Sequence, residues 1–349
     1  MILSMPLDHN PYDIHIGKNM MAQLKNFITK VYDGRKIFII TDTLVFSYHQ
    51  EYLLKRLIDF EVEVVSINPG EASKSIETFE KVCDELIEKG IKRGHLLIAF
   101  GGGVVGDLTG FVAATLYRGI DYIQIPTSLL AMVDASIGGK TGINSNKGKN
   151  LIGAFNQPKL VLIDTLLLRT LDKLEYQNGM AEVVKSGFIG DPMLITQLLS
   201  SPMSEDEMIK RSIEVKRKYV LMDEFDHKER MFLNFGHTFG HAIEKKSNYH
   251  IKHGFAVSVG MQIACEIGIK LGITPEATLL KLNQILSKYG LNKTIVNPNN
   301  YINEVFFDKK NINDSLNMVF VADLGTPLLR KITKEELHGC FNRTEEVKG

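Results

Sequence analysis

The sequence has few cysteines, and its charges of opposite sign are equal in number. Cys83, Cys265 and Cys340 are odd in number and far apart, which argues against a disulfide framework and indicates free thiols in a reducing compartment. Lysine plus arginine and aspartate plus glutamate each count 41 residues, so no overall field would draw the chain to nucleic acid or to an anionic membrane. We therefore expect neither as a partner.

Long apolar runs are also missing. The first residues, MILSMPLDHNPYD, have no basic region, and their apolar run is too short for a signal peptide. Asp164 interrupts the apolar stretch from Leu160 to Leu168, which is therefore a poor transmembrane helix. These features predict a soluble, cytoplasmic protein.

Strand-like and helix-like segments alternate in the first half of the chain. Apolar runs rich in Ile, Val and Leu, separated by helical patterns such as Ile76 to Lys89, indicate a parallel sheet covered on both faces. After about Leu171 amphipathic helices follow, with few strand-like runs before Met318 to Ala322. We predict a Rossmann-like α/β nucleotide-binding domain over 1–172 and an all-α domain over 173–349. The predicted strands are 36–41, 62–67, 96–100, 122–125 and 160–164.

A glycine-rich loop follows the third of these strands. Gly101, Gly103 and Gly106 have the dinucleotide-binding spacing, and N–H groups at the start of the next helix are suited to a pyrophosphate. The motif is displaced, however, because the usual loop follows the first strand, and any tight strand-to-helix turn favours glycine. A second loop, Gly138 to Gly142, is not a P-loop, because residue 134 is aspartate where that motif has its first glycine.

Histidine is concentrated late in the chain, where five of the ten lie between His227 and His253. On a helix His237 and His241 share one face, about 6 Å apart along the axis, and Glu244 continues that face. Zinc sites use this spacing because the helix fixes both imidazoles before the metal arrives. The alternative is a helix start whose histidines are only hydrogen-bonded.

Charged residues outside the histidine segment allow two interpretations. Glu182 and Lys185 lie on one helical face, where spacing alone favours a surface salt bridge. A carboxylate joining two imidazoles would instead complete a catalytic zinc site with an open position. Each basic residue taken alone would be an ordinary surface charge. Taken together, the basic residues suit a substrate that bears a phosphate and a carboxylate. They are Arg118, Lys140, Lys147, Lys149, Lys216, Arg230, Lys309 and Lys310.

Eight short motifs follow one another along the chain. They are GGGVVGD (101–107), YRG (117–119), PTS (126–128), DASIGGKTG (134–142), GKNLIGAF (148–155), MAEVVK (180–185), LNFGHTFGHA (233–242) and DKK (308–310). In this order they closely resemble the 3-dehydroquinate synthase family, and the resemblance extends from about Pro69 to Lys310. One departure lies between Asp223 and Arg230, where Asp226 replaces a glutamate of the family and Lys228 a glycine.

The resemblance implies a set of site residues. Metal ligands would be Glu182, His237 and His253, with His241 in a supporting or substrate-contacting role, which differs from the His237–His241 pairing that spacing favours. The dinucleotide would contact Glu71, Lys74, Gly103, Val104, Val105, Gly106, Asp107, Thr127, Ser128, Lys140, Lys149, Thr170, Leu171 and Glu175. The substrate would be held by Arg118, Lys140, Asn150, Lys185, Lys216, Arg230, Lys309 and Lys310, with Asp134 at the reacting centre.

The resemblance also implies an activity. The family converts a sugar acid phosphate, 3-deoxy-arabino-heptulosonate 7-phosphate, into 3-dehydroquinate and phosphate, with Zn²⁺ or Co²⁺ polarising a ring hydroxyl and NAD as a regenerated hydride acceptor. A homodimer is expected on the same ground. The alternatives are another sugar phosphate cyclase, a metal-dependent polyol dehydrogenase of the glycerol type, and a noncatalytic zinc-binding or nucleotide-sensing protein.

Overall fold

The chain divides into two compact units in a computed structural model that describes residues 1–292, 297–307 and 315–342. The first unit comprises Met1–Tyr176 and Glu205–Arg217, and the second comprises Gln177–Ser204 and Lys218–Gly349. The DKK motif at 308–310, with the predicted substrate contacts Lys309 and Lys310, lies outside the described residues. Within the described ranges no helix combines the length and the apolar content that crossing a membrane requires.

The first unit is built on a seven-stranded sheet and a separate two-stranded hairpin. The sheet strands are Ile2–Met5 (β1), Tyr12–Gly17 (β2), Lys36–Asp42 (β3), Glu61–Ile67 (β4), Leu96–Gly101 (β5), Asp121–Pro126 (β6) and Leu160–Asp164 (β9), and the hairpin strands are Lys140–Ser145 (β7) and Gly148–Phe155 (β8). Their order in the sheet is β1-β2-β9-β6-β5-β3-β4, and only β1 pairs antiparallel. All five predicted strands are confirmed, whereas β1, β2 and the hairpin were not predicted.

Burial on both faces explains why the central strands are almost entirely apolar. Every residue of β5 is buried, and Phe38 and Leu97 on neighbouring strands pack in one core with Leu108 and Val112. Strands covered by helices on both sides have no solvent face, so alternation of polar and apolar residues is lost. The helices of this part are Leu24–Val31 (α1), Thr43–Leu54 (α2), Ile76–Glu88 (α3) and Gly103–Thr115 (α4).

The direction of the strand order reverses at β3. From β3 the chain moves outward to β4, then returns to β5 on the other side of β3 and continues to β6. Ligands of open α/β sheets bind outside the carboxyl ends of the strands at such a reversal. The glycine loop that follows β5 therefore lies at the topological switch point, although it follows the fifth strand in the chain and not the first.

The second unit is predominantly helical, as predicted, but it is not purely so. A hairpin formed by Ser315–Asp323 (β10) and Thr326–Thr333 (β11) follows the helices, and β10 contains the strand-like run noted in the sequence. The other α-helices among the described residues are Lys173–Gly190 (α5), Pro192–Ser200 (α6), Glu205–Met222 (α7), His237–Lys246 (α8), His253–Lys270 (α9), Glu276–Lys288 (α10), Ile302–Phe307 (α11) and Lys334–Asn342 (α12).

Helices α8 and α9 pack closely because glycines lie between their backbones. A Cβ atom on Gly260 would lie 1.9 Å from the carbonyl oxygen of Gly236, and one on Gly240 would lie 3.1 Å from the Cα of Val257. Gly236 also has φ 81°, a left-handed conformation that glycine adopts without steric cost. The sequence GHTFGH thus serves helix contact as well as side-chain chemistry.

Replacing Gly260 with alanine should destabilise the second unit. The added methyl group meets backbone and not a mobile side chain, so α8 and α9 must separate, at a cost of about 1–3 kcal/mol. The thermal unfolding midpoint should fall by about 2–4 °C for each kcal/mol. The matched control is Gly339→Ala in α12, where a Cβ meets nothing within 4 Å. Equal midpoints for the two variants would contradict the packing.

Candidate metal centre and nucleotide-binding edge

Three side chains of the second unit converge on one point. Glu182 lies inside α5, while His237 and His253 are the first residues of α8 and α9. The Nε2 atoms of His237 and His253 lie 3.7 and 3.5 Å from Oε1 of Glu182. One ligand atom from each residue falls within 4.8 Å of the others.

This donor set fits a divalent metal ion. Glu182 is 1% exposed, and its Oε1 atom has no hydrogen-bond partner among the described residues. Ligands about 2.1 Å from a tetrahedral ion are about 3.4 Å apart, close to the separations of Oε1 from the two imidazole nitrogens. Two imidazoles and one carboxylate are the protein ligands of a catalytic zinc site, which keeps a fourth position open.

Lys185 compensates the buried carboxylate. Its ammonium group pairs with Oε2 of Glu182 one turn away on α5, and both side chains are buried, so the sequence-based alternative of a surface salt bridge is wrong. Burial alone would raise the pKa of Glu182, but Lys185 and the two imidazoles outweigh it and hold this pKa well below its usual range. The carboxylate is therefore charged, with Oε1 turned towards the histidines.

The two histidines of this cluster have opposite pKa shifts. Burial, reinforced by the ammonium of Lys185, holds the pKa of His237 well below its ordinary value. Burial also lowers the pKa of His253, but the carboxylates of Glu182 and Glu244 outweigh it and raise the pKa to about 9. The second carboxylate, Glu244, lies with Oε2 3.0 Å from Nδ1 of His253.

His241 lies next to the cluster. Its ring centroid is 5.3 Å from that of His237 and 6.2 Å from that of His253. Among the described residues it belongs to a second candidate ligand group, with Glu244 and His253, and no group contains both His237 and His241. The i, i+4 spacing thus brings two rings together without placing them in one ligand set.

Arg230, the other predicted cation in the part of the second unit that the structure describes, is held in a tight turn. It is 2% exposed, and its guanidinium donates to the carbonyl of Glu224. The carboxylate of Asp223 accepts backbone N–H groups of His227, Lys228 and Arg230, which closes the turn. Asp226 within it has φ 63°. Aspartate is enriched in this left-handed region, which is a physical reason for its presence at a position where glutamate was expected.

In the first unit the predicted dinucleotide contacts follow the carboxyl ends of four parallel strands. Glu71 and Lys74 come after β4, Gly103 to Asp107 after β5, Thr127 and Ser128 after β6, and Thr170, Leu171 and Glu175 after β9. Because these strands are parallel, their carboxyl ends lie at the same edge of the sheet. The structure therefore assembles this predicted set along one edge.

The start of α4 fits the diphosphate of a dinucleotide. Its N-cap, Gly102, provides no side-chain hydrogen bond, so the first N–H groups of the helix keep their capacity to bind an anion. The flanking glycines leave room for neighbouring side chains: a Cβ on Gly101 would lie 2.6 Å from Val105, and one on Gly106 would lie 2.8 Å from the amide end of Gln124.

Lys74 connects this edge to the hairpin. Its buried ammonium pairs with Asp107 and donates to the side-chain oxygen of Asn150. Burial raises the pKa of Asp107 against the opposing effect of Lys74. Asn144, which the sequence did not single out, accepts from the backbone N–H of Asn150 at 2.9 Å and donates to Glu71 at 2.7 Å.

Other predicted residues of the first unit have different surroundings. Lys216 is buried and donates to the carbonyl and carboxylate oxygens of Asp134, both at 2.6 Å, and Asp134 lies in a π-helical turn, Ala131–Ala135. Lys140 is exposed and Lys149 half-buried on the hairpin. Arg118 is exposed with φ 62°.

Two side chains near these sites were missed by sequence reasoning. His49 of α2 is buried, and its Nε2 lies 2.8 Å from Oγ1 of Thr170. Asn178 of α5 accepts the backbone N–H of Gly254, the residue after His253, at 2.6 Å. Neither lies in a motif or a periodic pattern, so no sequence signal identified them.

Comparisons with known proteins identify relatives along almost the entire chain. The family model "3-dehydroquinate synthase N-terminal" matches residues 64–178, and "3-dehydroquinate synthase C-terminal" matches residues 179–311. The 3-dehydroquinate synthase of Streptococcus pneumoniae (strain JJA) is 40% identical, over 97% of this chain and 98% of its own. That of Clostridium perfringens (strain 13 / Type A) is 42% identical, over 96% of this chain and 99% of its own.

Solved structures of other enzymes share the fold. A 2-deoxy-scyllo-inosose synthase is 24% identical with a TM-score of 0.88, covering 98% of this chain and 99% of its own. The 2-epi-5-epi-valiolone synthase of Streptomyces hygroscopicus subsp. jinggangensis 5008, with NAD⁺ and Zn²⁺ bound, is 25% identical with a TM-score of 0.86, covering 96% of each chain. A probable glycerol dehydrogenase of Sinorhizobium meliloti 1021 is 13% identical with a TM-score of 0.65, covering 94% of each. Two family models and relatives at 40% and 42% identity match this chain, which also clusters a carboxylate with two imidazoles. The chain therefore belongs to the 3-dehydroquinate synthase family.

Proposed function

We propose that this protein is a 3-dehydroquinate synthase, converting 3-deoxy-arabino-heptulosonate 7-phosphate into 3-dehydroquinate and free phosphate. The convergence of Glu182, His237 and His253 carries the proposal. It occurs in a chain that is 40% and 42% identical, over nearly its full length, to relatives of that name.

Glu182, His237 and His253 would hold the divalent ion, Zn²⁺ or Co²⁺. When bound, the ion would polarise a substrate hydroxyl, and NAD would accept a hydride and later return it. Lys185 pairs with Oε2 of Glu182, while Oε1 is the oxygen that faces both imidazoles. The lysine thus stabilises the charged carboxylate and leaves one oxygen available as a ligand.

Each unit carries cationic side chains suited to a phosphate or a carboxylate. In the second unit Arg230 is buried with its guanidinium fixed by a carbonyl. In the first unit Lys140 and Lys149 project from the hairpin, and Asp134 orients the ammonium of Lys216 through two contacts of 2.6 Å. Fixed cations favour phosphate and carboxylate because each charge-assisted hydrogen bond is stronger than a neutral one.

The carboxyl edge of the first unit's sheet would bind NAD. The first N–H groups of α4 would receive the diphosphate, because they lie at the switch point and their N-cap residue, Gly102, has no side chain to occupy them. The network of Lys74, Asp107 and Asn150 would hold the adjoining hairpin in place. Because the hydride returns to the same reaction sequence, NAD would be neither consumed nor released as NADH.

Two other enzymatic activities are compatible with the fold. Cyclases that form other carbocycles share it at high TM-score, but at 24% and 25% identity they lie further from this chain than the synthases do. A glycerol-type dehydrogenase has no need for the cations at Lys140, Lys149 and Arg230. We also propose a homodimer, on family membership.

The activity can be tested by following two products at once. With 3-deoxy-arabino-heptulosonate 7-phosphate, NAD and zinc, the protein should release phosphate in stoichiometric amounts while NADH absorbance stays at baseline. Steady NADH formation from glycerol would favour a dehydrogenase. Zinc and NAD binding with neither product would favour a sensor, and either result would overturn the proposal.

Removing one imidazole at a time tests the ligand set. His253→Ala should weaken zinc binding by more than the about 10–100-fold typical of losing an outer-shell partner, because it removes a direct ligand. His241→Ala, the matched control on the neighbouring ring, should keep zinc affinity close to that of the unaltered protein. Competition with a chromogenic chelator measures both. If His253→Ala still bound zinc tightly and His241→Ala did not, His241 and not His253 would be the second imidazole ligand.

Lys149→Ala should weaken ligand binding without unfolding the protein. Loss of one charge-assisted contact costs about 1.5–3 kcal/mol, which is about 10–100-fold in KM for substrate or NAD. Lys147→Ala, an exposed lysine at the turn of the same hairpin, is the control and should leave both values unchanged. Unaltered KM values in Lys149→Ala would exclude the role assigned to this lysine.

A further inference from the structure

His253 has a different partner for each ring nitrogen. Nε2 faces Oε1 of Glu182 at 3.5 Å, and Nδ1 lies 3.0 Å from Oε2 of Glu244. The hydrogen bond made by one nitrogen of an imidazole determines which nitrogen is free to bind a metal. A carboxylate can only accept, so Nδ1 donates its N–H to Glu244. That leaves Nε2, beside Glu182, as the nitrogen that would bind a metal ion once the ion displaces its proton.

Glu244 is a buried carboxylate next to the proposed ligands. It is 2% exposed and lies two helical turns after His237 on α8, on the same face. A buried carboxylate is unfavourable unless it is paired and hydrogen-bonded, and the imidazole of His253 meets this need. One helix therefore carries one proposed ligand at its first residue and the partner of another ligand near its end.

The backbone of His253 is held from a second direction. The side-chain oxygen of Asn178, one turn before Glu182 on α5, accepts the N–H of Gly254 at 2.6 Å. A Cβ on Gly254 would lie 2.0 Å from the carbonyl oxygen of Asn178, so only glycine permits this approach. Asn178 thus fixes the distance between α5 and the backbone at His253 and Gly254. The orientation of the His253 ring then depends on Glu244.

His237 provides the comparison. Its Nδ1 lies 3.2 Å from the backbone carbonyl of Phe235, a neutral acceptor. Both imidazoles thus present Nε2 to Glu182, but only His253 has an anionic partner on the other side. A carboxylate behind an imidazole orients the ring and makes it a more basic ligand.

We propose that Glu244 is a positioning residue of the metal centre, accepting the Nδ1–H of His253 and directing Nε2 to the ion shared with Glu182 and His237. The inference rests on the proposed function for the presence of a divalent ion at this cluster. The competing arrangement is the second candidate group, in which His241, Glu244 and His253 would themselves be ligands.

Zinc affinity of Glu244→Gln and Glu244→Ala tests this role. Glutamine keeps an oxygen acceptor without the charge, so Glu244→Gln should bind zinc about 10–100-fold more weakly, and Glu244→Ala more weakly still. The absorption spectrum of the Co²⁺-loaded Glu244→Gln protein should match that of the unaltered protein, because the ligands are the same. Glu266→Gln, on α9 but far from its first turn, is the matched control and should leave zinc affinity unchanged.

Two results would overturn the proposal. Zinc affinity unaltered in both Glu244 variants would show that Glu244 does not position a ligand. An altered cobalt spectrum, with zinc lost in His241→Ala and retained in His237→Ala, would make Glu244 itself a ligand. The thermal unfolding midpoint of each metal-free variant serves as a control for folding. A midpoint equal to that of the unaltered metal-free protein shows that a loss of zinc affinity does not come from a folding defect. The test is independent of catalysis: unaltered protein that binds zinc without releasing phosphate would overturn the proposed function alone.

Discussion

A charged carboxylate inside the helical unit is the constraint on which the rest of the site depends. Glu182 is almost fully buried, and the protein stabilises its charge with Lys185 on one oxygen and two imidazoles facing the other. A buried charge without partners would be neutralised or would destabilise the fold. Here the surrounding groups keep it ionised, and the same arrangement provides a donor set for a divalent ion.

The packing of α8 against α9 fixes the backbone positions of the two histidines. His237 and His253 each begin a helix, and the two helices approach through glycines that leave no space for a side chain. The imidazoles are therefore positioned by main-chain contact before any ion binds. Preorganisation of this kind limits the entropy lost on binding, because the ligands need no rearrangement.

The first unit follows a separate physical rule. Parallel strands align their carboxyl ends, so loops that are far apart in the chain come together at one edge of the sheet. Lys74 then joins the loop after one strand to the hairpin and to α4 through the polar contacts of its buried ammonium group. Such networks rigidify a site because each buried group depends on its partner.

Patterns within a few residues were enough to predict the alternation of strands and helices, the glycine turn at Gly101 to Gly106 and the motifs of the family, because each of these features depends on near neighbours in the chain. The sequence pattern missed β1, β2 and the hairpin of β7 and β8. Of these strands, β1 and β8 are largely exposed, so their residues carry little apolar signal. Helical spacing favoured His237 with His241, whereas the family resemblance implied Glu182, His237 and His253. No local pattern brings these three together, because their meeting requires three helices to pack. Long-range packing also decided which carboxylate lies behind His253, and no local pattern encodes such a contact.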